Sequence, residues 1–232
     1  METAKRLEEM MNVPVYYVPG NHDLWCRNFE KEHTSTDDIY QKFVTDQRCL
    51  CGNPILLQGK TSTYALIGDV GWFDYSFGNP EFTKTDFDAM TYQKRRWQDS
   101  ILNQWTKDNP GKCSEMLTRI ESFLQKYASY PQIVVTHMLP IREFCVPEIR
   151  ESWRYFNAFL GSEQFGELYK KYPVKYAVCG HVHYRKVVKK DDITYICPCL
   201  NYANQWQNVD TPETPFERVR KQIEESIVTI EI

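Results

Sequence analysis

The sequence predicts an α/β fold, and three observations carry that prediction. Apolar strand-type runs alternate along the chain with amphipathic stretches of helical period. Polar residues follow directly on the ends of those runs, where open α/β sheets place their ligand sites. The 232 residues suffice for one α/β domain with a full core. No internal repeat or low-complexity linker divides them, so one domain over 1–232 is expected.

Residues 1–11 read as an amphipathic helix, with Ala4, Leu7, Met10 and Met11 on one face. Residues 13–18 read as a strand, closed by Pro19-Gly20 and leading into Asn21-His22-Asp23. A helix is expected from Ser35 to Val44, with Ser35 or Thr36 as cap and Asp37 and Asp38 in its first turn. Leu56-Leu57 and residues 63–67 read as paired strands turning at Gln58-Gly59-Lys60.

The stretch 72–110 is irregular and rich in aromatic residues. Core packing beneath a long loop is favoured there over the wall of a pocket that stacks a flat group. A helix from Ser114 to Tyr127 follows, its apolar stripe formed by Leu117, Ile120, Phe123 and Leu124. The strand at 132–136 runs straight into His137. A helix over 162–171, capped by Ser162, precedes a strand at 174–179 that ends in Gly180-His181-Val182-His183. A hairpin around Asp191-Asp192, a helix over 216–225 and a last strand at 227–232 complete the chain.

Charged residues are 25% and hydrophobic residues 42%, an ordinary balance for a globular chain. The formal charge of −3 gives no indication of nucleic-acid or membrane binding. No apolar run approaches the roughly 20 residues of a membrane span, and residues 1–6 lack a signal-type apolar core. A cytoplasmic protein is therefore expected. The eight cysteines contain no Cys-x-x-Cys pair. The Cys49/Cys51 and Cys197/Cys199 pairs read as small core thiols of a reducing compartment rather than soft-metal ligands.

The chain has five histidines, and four of them sit at three strand ends: His22, His137, and His181 with His183. The fifth, His33, lies in a polar loop and reads as a surface residue. Two histidines at i and i+2 past a strand end point to one side, and neutral imidazole is the commonest metal ligand. A metal site at the strand ends is the expectation.

These motifs, Gly20-Asn21-His22-Asp23, Val135-Thr136-His137 and Gly180-His181-Val182-His183, resemble those of the calcineurin-like metallophosphoesterase superfamily, and in its order. The resemblance spans residues 20–183. It implies a four-layer α/β/β/α sandwich with the site where the two sheets meet. It implies Asn21, His137 and His181 as ligands of one metal and His183 as a ligand of a second. It implies two divalent ions, Mn, Fe or Zn, about 4 Å apart, which generate a hydroxide and clamp the phosphoryl oxygens of a phosphate mono- or diester. His22 would then stabilise phosphoryl charge or protonate the leaving oxygen. Asp23 would orient His22, a role weighed equally against that of a turn acid. Trp25, Asp69 and Trp72 are candidate substrate-binding residues.

The sequence departs from the family pattern at two motifs. No Asp-x-His occurs, and Gly68-Asp69-Val70-Gly71-Trp72 begins like Gly-Asp-x-x-Asp but lacks its last acid and lies after Asn21. Asp69 is therefore not taken as a bridging ligand. The expectation is a domain truncated at its N-terminus, lacking two strands, holding one metal and impaired in activity. Its exposed edge at 13–18 would favour self-association or a covering partner. The alternative is a non-catalytic metal-binding or interaction fragment.

Overall fold

A computed structural model of the protein describes residues 2–26, 34–206 and 214–232. His33 lies outside the described residues. Helix α1 (Glu2–Met11) opens the chain as expected. Helix α2 (Thr36–Val44) begins at Ser35, whose hydroxyl accepts the Asp38 amide at 3.1 Å while the Asp38 carboxylate accepts the Ser35 amide at 2.9 Å. This reciprocal cap satisfies two donors that a helix start otherwise leaves open. Strands β1 (Ile55–Gln58) and β2 (Thr63–Asp69) form the expected antiparallel pair.

The aromatic stretch holds helix α3 (Lys84–Asp88), the short ribbon β3 (Thr91–Tyr92) and β4 (Arg95–Arg96), and helix α4 (Asp99–Leu102). Helix α5 (Asn109–Lys126) starts five residues before the expected position. Asp108 caps it by accepting the Gly111 amide at 3.0 Å, and Pro110 sits in its first turn, where a missing N–H costs nothing. Strand β5 (Gln132–Thr136), helices α6 (Trp153–Phe156) and α7 (Glu163–Tyr169), and strands β6 (Val174–Val178), β7 (Arg185–Lys190) and β8 (Ile193–Pro198) follow. Asp191 and Asp192 both take positive φ in the β7–β8 turn, a conformation that Asp tolerates and hairpins require. Helix α8 (Pro215–Ser226) is the last element.

The fold is of the expected mixed α/β class, built on a six-stranded sheet in the order β1-β2-β5-β6-β8-β7. Strands β2, β5, β6 and β8 run parallel in the middle, and the antiparallel β1 and β7 close the edges. The Asp69↔Thr136 and Val135↔Val178 registers bring the C-terminal ends of β2, β5 and β6 level. The residues that follow those ends therefore meet.

Two expected strands do not form. Residues 13–18 make only an isolated bridge between Tyr17 and Cys49, in which Tyr17 donates to the Arg48 carbonyl and accepts from Leu50. The edge of β2 that a further strand could have used is taken by β1, so this segment lies beside the sheet, not in it. The premise of an exposed strand edge at 13–18 falls with it. Residues 227–232 are also not a strand; the Ile232 carbonyl accepts the Lys60 amide at 2.8 Å beside the β1–β2 turn.

The aromatic stretch mostly builds core. Trp72, Phe73 and Phe77 are fully buried. Trp72 stacks on Phe73 at 4.9 Å between centroids, and Phe73 meets Phe159 edge-on at 5.5 Å. Such pairs add to the area that they bury. All eight cysteines are free, and six are buried.

Candidate metal centre

The centre lies where the chain leaves β5 and β6. His137 follows β5 directly, and its amide and that of Met138 donate to the Val70 carbonyl at 2.9 and 3.0 Å. Its own carbonyl accepts the Gly180 amide at 3.1 Å. One residue thus ties together the loops after β2, β5 and β6. His181 takes φ +66°, a left-handed conformation that costs a non-glycine residue about 1–2 kcal/mol. Asn21 opens a single turn of 3-10 helix, Asn21–Leu24, and is 3% exposed.

Three donor atoms converge. His137 Nε2 lies 2.9 Å from Asn21 Oδ1 and 3.1 Å from His181 Nδ1. Burial, then the neighbouring His181, hold the His137 ring well below the usual histidine range. Burial pushes the His181 ring down to about 4. Both rings are therefore neutral near pH 7, the form that ligates metals. One proton on His137 Nε2 cannot serve an amide oxygen and a ring nitrogen equally well, whereas a cation would accept all three lone pairs at once. In an octahedral shell with bonds of about 2.1 Å, neighbouring donors stand about 3.0 Å apart. The two sides of 2.9 and 3.1 Å match that spacing, so these residues fit a divalent ion. Among the described residues no three of His, Cys, Asp or Glu cluster as a metal site; here the third donor is an amide oxygen.

Asn21 points its oxygen inward because its amide nitrogen is held from behind. Nδ2 donates to both carboxylate oxygens of Asp99, each at 2.9 Å. Asp99 also accepts the indole N–H of Trp25 at 2.7 Å, that of Trp97 at 2.8 Å, and the Asn103 amide at 2.8 Å. Gly20 permits the close approach: a Cβ there would stand 2.8 Å from His137 Cε1. Gly20→Ala is expected to displace the ring and weaken divalent-metal affinity about tenfold or more, on the scale of lost support around a ligand, which a calorimetric Mn²⁺ titration would measure.

The other expected site residues are placed as follows. His22 is exposed, with its ring 3.8 Å from that of Trp25. The Asp23 carboxylate accepts the Gly20 amide at 2.8 Å, the turn-acid role. His183 is exposed, with its ring 4.1 Å from Tyr202. Asp69 and Trp72 are corrections, because neither exposes surface to a substrate. The Asp69 carboxylate is locked in a buried network with Tyr40 and Arg119, and the Trp72 indole donates to Asn109 at 2.9 Å. Sequence reasoning missed Asp99, Trp97 and Asn103. No spacing announces a carboxylate 78 residues from the amide that it holds.

The model of the calcineurin-like phosphoesterase family matches residues 2–185. The chain belongs to that family. The match covers the Asn21 turn, His137 and the His181/His183 loop, and the six-stranded α/β sheet carries the last two. This calcineurin-like phosphoesterase is similar in fold to a phosphopantetheinyl hydrolase from Mycobacterium tuberculosis. The two are 16% identical with a TM-score of 0.69, over 91% of this chain and 78% of that one. A dimetal phosphatase from Danio rerio is 12% identical with a TM-score of 0.43, over 84% of this chain and 64% of that one. No curated protein matches the chain. Among the described residues no helix is long and apolar enough to cross a membrane.

Proposed function

We propose that this chain hydrolyses a phosphate mono- or diester at a divalent-metal centre held by Asn21, His137 and His181. The observation that carries the reading is the meeting of Asn21 Oδ1, His137 Nε2 and His181 Nδ1 within 2.9 and 3.1 Å. A divalent ion bound there would neutralise phosphoryl oxygens and make water acidic enough to supply a nucleophile. The chain's own residues do the rest. Asn21 and the two neutral rings bind the ion without losing a proton, and Gly20 lets the Asn21 turn approach His137. His22, exposed and next to Asn21 in the chain, would hydrogen-bond a phosphoryl oxygen or protonate the departing oxygen. Its ring rests against Trp25, which limits its rotation. His183, on the same loop as His181, would be a ligand of a second ion.

The second reading, a non-catalytic metal-binding or interaction module, is favoured by one observation. Asp69, the acid of the Gly-Asp segment, is fully buried against Tyr40 and Arg119 and offers nothing to a second ion. Metal stoichiometry with turnover separates the readings. The protein is loaded with Mn²⁺, desalted, counted for metal and assayed on p-nitrophenyl phosphate and bis-p-nitrophenyl phosphate. Turnover with one or two ions per chain upholds the proposal; one ion without turnover supports the binding module; no ion overturns both.

A further inference from the structure

Asp99 is 3% exposed and belongs to none of the histidine motifs. Four separate N–H groups converge on its carboxylate, from Asn21, Trp25, Trp97 and Asn103, all within 2.7–2.9 Å. A carboxylate accepts and does not donate, so only the nitrogen end of the Asn21 amide can face it. The two ends of an amide are nearly the same size, and a side chain free to flip would present N–H to the histidines about as readily as oxygen. An N–H cannot ligate a cation. The contact with Asp99 removes that ambiguity.

We propose that Asp99 is the positioning residue of the metal centre: it sets the Asn21 amide oxygen-inward and so makes Asn21 a ligand. The same carboxylate fixes the indole planes of Trp25 and Trp97, whose rings stand 3.8 Å from His22 and 6.0 Å from His181. Helix α4 therefore supports the centre through Asp99, although it carries no ligand. The inference rests on the metal centre proposed above and deepens it.

The test is Mn²⁺ affinity by titration calorimetry, with the thermal melt of each metal-free protein as a check on folding. In Asp99→Asn the new side chain can donate to Asn21 as well as accept from it, so both amide orientations become possible. Affinity should fall about 10–100-fold, the usual cost of losing a ligand's support, with a cooperative melt retained. Trp97→Phe removes one donor from Asp99 and leaves its bond to Asn21, so affinity should stay within about threefold of wild type. The combination N21D/D99N/W97F exchanges the partners: a carboxylate at 21 accepts from an amide at 99 and faces the histidines with oxygen. It should regain affinity to within about tenfold of wild type. That rescue keeps the proposal testable if D99N alone does not fold.

Wild-type Mn²⁺ binding that persists within twofold in a folded D99N overturns the inference and leaves the metal centre standing. A folded exchange variant that regains nothing also overturns it. Absence of Mn²⁺ binding in the wild type overturns the metal centre itself.

Discussion

His137→Ala is expected to abolish Mn²⁺ binding at the centre and to lower phosphate-ester turnover by about a thousandfold or more, the scale of several kcal/mol that a metal supplies to charge stabilisation. His137 Nε2 is the middle atom of the three, 2.9 Å from one donor and 3.1 Å from the other, so its removal leaves two ligands with no common neighbour. The backbone bonds that join this position to Val70 and Gly180 do not involve the ring and survive. The metal-free variant should therefore melt within a few degrees of wild type. Loss of function with retained folding distinguishes a ligand from a structural residue. His183→Ala should act differently, because its exposed ring lies outside the three-atom cluster: the first ion stays and only a second is lost. Calorimetric titration and steady-state rates on p-nitrophenyl phosphate decide the matter. An H137A protein that binds Mn²⁺ like wild type would sink the centre.

Asp69→Ala is expected to cost about 3–5 kcal/mol of stability, the range for removing one partner of a buried ion pair. Asp69 exposes nothing to solvent. It accepts the Tyr40 hydroxyl and the Val70 amide, each at 2.7 Å, and lies 3.4 Å from the Arg119 guanidinium. Truncation leaves the Tyr40 hydroxyl and the Val70 amide without that acceptor, and leaves Arg119 only Tyr40 and Glu115. Asp69→Asn keeps the shape and most acceptors, and its effect should depend on pH. Burial raises the Asp69 pKa from 3.8 to about 6, against the opposing pull of Arg119 and the Tyr40 hydrogen bond. Between those values the folded chain holds a proton that the unfolded chain has released. Stability from this group is therefore greatest below the window and falls as pH rises through it. Asparagine has no such dependence. D69N should gain on wild type by about 2 kcal/mol between pH 4 and pH 7, the part of a shift of roughly two pH units, at about 1.4 kcal/mol each, that falls in that interval. Urea melts of both proteins at the two pH values measure the difference, in which other titrating groups cancel. A difference that does not change with pH would rule out a raised Asp69. Mn²⁺ affinity should be the same in both proteins.

Much of the fold was legible locally. The Ser35-Asp38 cap and the Ser162 cap each use a side chain that satisfies its own neighbouring backbone, and Asp191 and Asp192 tolerate the positive φ that their turn requires. Strands β5 and β6 announced themselves as apolar runs because a central parallel strand is covered on both faces. The segment at 13–18 has the same composition but is not a strand of the sheet, because pairing needs a vacant edge and β1 occupies the one on β2. Composition records what a segment could bury and not which partner is free to receive it.

The same division holds at the centre. The motifs alone named the side chains that gather there: His137 and His181 follow strands that pair in parallel with their ends level, and the Asn21 turn closes on them. Packing alone distinguishes two aspartates. Asp69 stands at a strand end in a motif-like setting, yet its side chain turns into the core toward Tyr40 and Arg119. Asp99 lies in an irregular aromatic stretch with no motif, yet its carboxylate accepts the amide of Asn21 beside the two histidines. A carboxylate's role depends on the donors that surround it, and those donors arrive from segments that only packing brings together.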